Sequence, residues 1–144
     1  MKYDDASWHY GGTFPSDLPR EAGAIHIAIF LNWCLLHGMI GELHTEDSTE
    51  LLERLRGRSI PLTQFLIDAC DEKFTDEDLN DEGNAFARAY YGEGGSFKAY
   101  IDDYEKTLGT GFSSLYSVPN TWDSFDRMAP VIEARYQAWK ASEL

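Results

Sequence analysis

The stretch "AIHIAIFLNWCLL", Ala24 to Leu36, is apolar at nearly every position, with polar side chains only at His26 and Asn32. A surface helix keeps one polar stripe, whereas a helix apolar around its whole circumference has to be enclosed on every side. Pro19 sits in the first turn, where a missing N–H costs nothing, and Gly38 follows as a left-handed cap. The pattern predicts one long helix from Pro19 to about His37, buried at the centre of an all-α, single-domain bundle of about five to six helices. At this length, and with His26 and Asn32 inside it, the run does not suit a bilayer span.

Around that helix the sequence supplies shorter amphipathic ones. "TEDSTELLERLRG" (45–57) has cap residues, early acids, late arginines, Leu51, Leu52 and Leu55 on one side, and Gly57 as a stop. "SIPLTQFLIDAC" (59–70) predicts a helix started by Ser59 and Pro61, with Leu62, Phe65, Leu66 and Ala69 inward. "FTDEDLNDEGNAFARAYYG" (74–92) predicts one capped by Thr75, in which Gly83 weakens continuity by about 1 kcal/mol relative to alanine. "GEGGS" reads as a turn, and "FKAYIDDYEKTL" (97–108) as a helix with Phe97, Tyr100, Ile101 and Tyr104 on one face. Residues 109 to 119 read as a loop with an extended piece at "SSLYSV". A last helix from about Thr121 to Lys140 carries Pro130, which is expected to kink or split it. Its inner side is Trp122, Phe125, Val131, Ile132, Tyr136 and Trp139.

With 144 residues, 43% of them hydrophobic and 14% aromatic, the chain has the length and burial for one domain, residues 1–144, without disulfide or metal staples. Twenty-five acids against 12 bases give a net charge of -13, which repels phosphate backbones and anionic lipid heads. Nucleic acid and membrane are therefore not expected partners, while a basic protein partner is compatible with the charge. Oligomeric state is not legible. Cys34 and Cys70 lack C-x-x-C spacing and read as small hydrophobes in a reducing compartment, and no secretory leader pattern is present, so a cytoplasmic setting is expected.

Few motifs carry chemistry. "DLNDEG" matches the first half of a calcium loop through Asp78, Asn80, Glu82 and Gly83, but Ala89 stands where the closing acid belongs, so the segment reads as an acidic helix start. His26 and His37, eleven residues apart, would lie about 16 Å apart along a helix, too far for one ion. No metal and no cofactor are expected. Phosphate-loop and nucleophile-elbow patterns are absent, and Arg88, Arg127 and Arg135 read as solvated helix decoration.

The opening "KYDDASWHYGG" (2–12) crowds acids, aromatics and a histidine into a non-helical segment. An ordered lid over the first helix would seat Trp8 and Tyr10, turn at Gly11 and Gly12, and let the Asp4, Asp5 and His9 region meet the polar groups His26 and Asn32. The same residues, Asp4, Asp5, His9 and His26, are the candidate catalytic set, with a carboxylate orienting an imidazole as general base.

Together with "FPSDLPREAGAIHIAIFLNW", "LNDEGNAFARAYY" and "VPNTWDSFDRMAPVIEARYQAW", that opening resembles a bacterial domain-of-unknown-function family of small, mainly α-helical proteins. The resemblance spans nearly the whole chain. It implies one bacterial α-helical domain and assigns no activity. Two function classes stand: a non-enzymatic acidic protein-binding module, such as an immunity-type protein neutralising a toxin, and a small hydrolase or ligand-binding enzyme built on the Asp/His set.

Overall fold

The computed structural model describes residues 2–9, 20–92, 98–109 and 118–143. Trp8 and His9 are described in backbone only; the Tyr10 to Gly12 turn, "GEGGS" beyond Gly92 and "SSLYSV" before Val118 lie outside the described residues.

The central helix is found, ending where expected but starting as an α-helix at Ile25, later than the expected start at Pro19. Helix α1 spans Ile25–Leu36, and every residue from Ile25 to Leu35 is buried. A 3-10 turn, Arg20–Ala24, leads into it. At its other end Gly38 takes φ +79, its N–H donates to the Leu35 carbonyl at 3.1 Å, and the Met39 N–H donates to the Cys34 carbonyl at 3.0 Å. This double bond pattern satisfies carbonyls that a helix end otherwise leaves open.

Six further helices stand among the described residues: α2 Glu42–Asp47, α3 Thr49–Arg56, α4 Gln64–Cys70, α5 Asp81–Tyr90, α6 Lys98–Tyr104 and α7 Trp122–Glu143. Helix α1 packs on α3, α4 and α7. Its Phe30 is a hub, with the rings of Phe74, Phe86, Tyr90, Tyr91 and Tyr100 at centroid distances between 4.9 and 6.1 Å. Each fully buried Ile, Leu or Phe contributes about 1.5–3 kcal/mol, so this one enclosed helix carries a large share of the driving force.

The mainly helical class holds, and several local expectations change. The N-terminal segment, expected to be non-helical, is a strand, β1 Lys2–Asp5, paired antiparallel with β2 Lys73–Thr75, followed by a 3-10 turn at Ala6–His9. "TEDSTELLERLRG" spans the end of one helix and the whole of another. Ser48 at φ -127 breaks the run between the two helices, and its hydroxyl lies 3.1 Å from His44 Nδ1. Pro61 belongs to the turn before α4 rather than to its first turn: the Gln64 N–H donates to the Pro61 carbonyl at 3.0 Å, and the Trp122 indole donates to the neighbouring Ile60 carbonyl at 3.0 Å. Thr75 caps only a 3-10 turn, Asp76–Asp78; extended Leu79 interrupts, and α5 starts afresh with Asn80 accepting from the Gly83 N–H at 2.9 Å. Gly83 itself is tolerated because a Cβ there would stand 3.0 Å from both Leu79 and Met39.

Helix α7 runs unbroken across Pro130. The expected inner residues do face the core: Phe125 and Ile132 are buried, and Trp122, Val131, Tyr136 and Trp139 pack against it. Arg135 is not mere decoration, since it grips Asp103 through two hydrogen bonds of 2.8 and 2.9 Å.

Candidate functional site

Strand β1 carries Asp4 inward and α1 carries His26 in its first turn, so pairing β1 with β2 beside α1 brings the two together. Asp4 Oδ2 lies 3.2 Å from His26 Nε2 and accepts from the Tyr91 hydroxyl at 2.5 Å; Asp4 Oδ1 accepts from the Asp5 N–H at 2.8 Å. The Tyr100 hydroxyl donates to the His26 carbonyl at 2.6 Å. Burial, then the Asp4 charge, push the Tyr91 phenol well up, so it stays a donor to the carboxylate.

Asp4 is 0% and His26 1% exposed. A general base needs a face open to its substrate, and these side chains are packed within the fold. The cluster ties the first strand to the central helix. Asp5 turns away: it accepts from Ser7 Oγ at 2.7 Å and from Lys2 Nζ at 2.9 Å. Burial works to raise its pKa, but these bonds outweigh it and hold the carboxyl below the usual range. The His9 side chain lies outside the described residues. Asn32, expected at the same seam, instead donates to the Leu62 carbonyl at 2.8 Å.

A second polar cluster escapes sequence reading. Helix α4 ends at Cys70; Asp71 and Glu72, at φ 54 and 63, swing the chain into β2, and Asp78 closes the turn that follows. Asp78 Oδ2 accepts from the Thr75 N–H at 2.8 Å, which aims Oδ1 back toward α4. Gly41 lets α2 approach that turn: its N–H donates to the Asp78 carbonyl at 3.1 Å, and a Cβ there would stand 2.2 Å from the Glu77 carbonyl oxygen. His44 is thereby brought onto Asp78, with Nε2 to Oδ1 at 2.7 Å, while Cys70 Sγ lies 3.6 Å from that nitrogen and 3.4 Å from that oxygen.

His44 Nδ1 is 3.1 Å from Ser48 Oγ. In a cysteine nucleophile the carboxylate and the thiol sit on opposite ring nitrogens. Here both face Nε2. Burial and then the Asp78 charge raise the Cys70 pKa, the reverse of what activates a thiol. The three residues come from three elements at separations of 26 and eight, so no local motif announces them: Cys70 stands in an apolar run and His44 in the polar stretch "GELHTED".

Two surface grooves flank α2. One, about 500 Å³, is lined by Asp47, Glu50, Arg54 and Asp68 among others; the second, about 430 Å³, by Glu42, Leu43, Glu77 and Asp81 among others. Arg54 is already paired with Glu50 at 2.9 Å, so the carboxylates dominate. Leu43 is 41% exposed beside them. No helix among the described residues is long and apolar enough to cross a membrane.

The sequence profile of a domain of unknown function, DUF7832, matches residues 2–118, and the chain belongs to that family. No curated protein and no solved structure matches it.

Proposed function

We propose that this family member is a non-enzymatic binding module for a basic protein, working in the bacterial cytoplasm as an immunity-type protein that neutralises a toxin. The observation that carries the reading is the pair of grooves on either side of α2, which together present six carboxylates, Asp47, Glu50, Asp68, Glu42, Glu77 and Asp81, and one arginine that is already paired. Such a face steers a cationic partner toward it and repels nucleic acid. Exposed Leu43 offers an apolar contact within the acidic rim. The hydrolase alternative loses ground because Asp4 and His26 are buried.

The test begins with products of genes adjacent to this one, each expressed alone and measured for binding and for toxicity. The reading expects a basic partner whose association slows as salt rises, since fields reach only about 8 Å at physiological ionic strength. Combined Glu42→Gln and Glu77→Gln substitution should lower the association rate about tenfold at low salt. A verified partner whose association ignores both salt and these substitutions would sink the proposal.

A further inference from the structure

We propose that His44, Cys70 and Asp78 bind one zinc-class divalent cation through Nε2, Sγ and Oδ1. This goes beyond the protein-binding reading and does not depend on it. It also revises the expectation of no metal, which rested on the spacing of His26 and His37 along one helix and on the missing closing acid of the "DLNDEG" segment. The fold assembles the ligands from α2, α4 and the Asp76–Asp78 turn instead.

The donor set is mixed N, S and O, the chemistry zinc takes. All three donor atoms lie within 4.8 Å of one another. Around a tetrahedral zinc such atoms stand about 3.3–3.6 Å apart, from bond lengths of about 2.0–2.3 Å. The Sγ–Nε2 and Sγ–Oδ1 separations of 3.6 and 3.4 Å already describe two edges of that face. The third, Nε2–Oδ1 at 2.7 Å, is a hydrogen bond that opens by about half an ångström when an ion replaces its proton.

Both His44 and Asp78 have a support behind them. Ser48 Oγ lies against His44 Nδ1, and the Thr75 N–H holds the far oxygen of Asp78. Outer partners of this kind orient metal ligands. On binding, the imidazole proton moves to Nδ1 and is donated to Ser48 Oγ, and the Cys70 thiol releases its proton to solvent. A thiolate and a carboxylate then balance the two charges of the ion. Cys70 is only partly buried, and its chain neighbour Ala69 lines the 500 Å³ groove together with Ser48, so an ion can approach from solvent and leave its fourth position to solvent.

The experiment uses the full chain, stripped with a chelator and titrated with Zn²⁺ and, separately, Co²⁺. One equivalent of Zn²⁺ should bind and raise the melting temperature, and Co²⁺ should show a thiolate-to-metal charge-transfer band. Cys70→Ser should abolish that band and weaken Zn²⁺ binding by about 100-fold or more, and Ser48→Ala, which loses a positioning contact, by about tenfold. His37→Gln should bind as the wild type does. Failure of the wild-type chain to bind one equivalent, binding without the sulfur band, or undiminished binding by folded Cys70→Ser would each overturn the site. The band is read on the wild-type protein, so it tests the proposal even where a variant misfolds.

Discussion

Asp4 Oδ2 lies 3.2 Å from His26 Nε2, joining the first strand to the first turn of the buried helix with both side chains sealed from solvent. What the opening segment supplies is thus an internal partner for a polar group on a helix that is otherwise apolar. An imidazole in that position without a partner would cost about 1–3 kcal/mol, so strand and helix have to be acquired together.

Removing either support should therefore be expensive in stability. Asp4→Ala leaves His26 and the Tyr91 hydroxyl facing a void and should cost about 3–5 kcal/mol. Tyr91→Phe keeps the ring packed against Phe30 at 4.9 Å and deletes only the donor to Asp4, so about 1–3 kcal/mol is expected. Urea unfolding of the two variants measures both. A loss under about 0.5 kcal/mol in each would show that the network is not holding the strand.

Pro130 lies inside α7 with its own side chain exposed and the half-buried Ala129 and Val131 on either side, at a point where the helix continues in both directions. A proline there lacks the N–H that would reach the carbonyl of Asp126 and crowds the preceding turn, a penalty of about 3 kcal/mol that the flanking contacts absorb. Pro130→Ala should raise stability by about 2 kcal/mol, after subtracting the entropy that proline removes from the unfolded chain. An unchanged or lower melting temperature would mean that the helix needs the proline geometry.

The gap between sequence and structure follows from which interactions are local. A helix apolar on all faces, a glycine cap at Gly38 and the inward row from Phe125 to Trp139 are written in periodicity, and each is found. Strand β1 is four residues long and pairs with a strand 68 or more positions away, Asp5 with Lys73, so alternation within it is too short to read. The Asp4 and His26 encounter was legible because both are polar groups that need partners. The His44, Cys70 and Asp78 cluster was not, because Cys70 in "FLIDAC" is indistinguishable from an apolar core position and Asp78 from a helix-start acid. Tertiary closeness at Gly41 decides it.

Gly41 and Gly38 separate two reasons for glycine. At Gly38 the backbone is left-handed at φ +79, while a Cβ added there would meet nothing within 4 Å, so Gly38→Ala should cost only about 1–2 kcal/mol of backbone strain. At Gly41 a Cβ would collide with the Glu77 carbonyl oxygen at 2.2 Å, a clash with rigid backbone that forces α2 off the Asp76–Asp78 turn. Gly41→Ala should cost about 3 kcal/mol and also release His44 from Asp78, visible as a changed imidazole resonance in NMR. Equal effects from the two substitutions, with the His44 resonance unmoved, would contradict the close-approach account.

Asp103 gives the fold a titratable joint. It sits in α6 and accepts from the Tyr90 hydroxyl of α5 at 2.6 Å and from Arg135 of α7 at 2.8 and 2.9 Å, so one carboxylate links three helices. Burial works to raise its pKa, and the bonds from Arg135 and Tyr90 overcome that and hold it below the ordinary value of 3.8. A depressed carboxylate stabilises the fold fully above the unfolded-state value and loses that contribution as pH falls through the lower folded-state value. Asp103→Asn, which keeps the shape but not the charge, should cost about 2 kcal/mol at neutral pH. The difference between wild type and variant should stay constant down to about pH 4 and then shrink, because a protonated Asp103 is itself neutral. Urea midpoints measured across that range test the sign: a difference that persists undiminished to about pH 2, or one that shrinks only above pH 7, would remove Asp103 as the origin of the acid sensitivity.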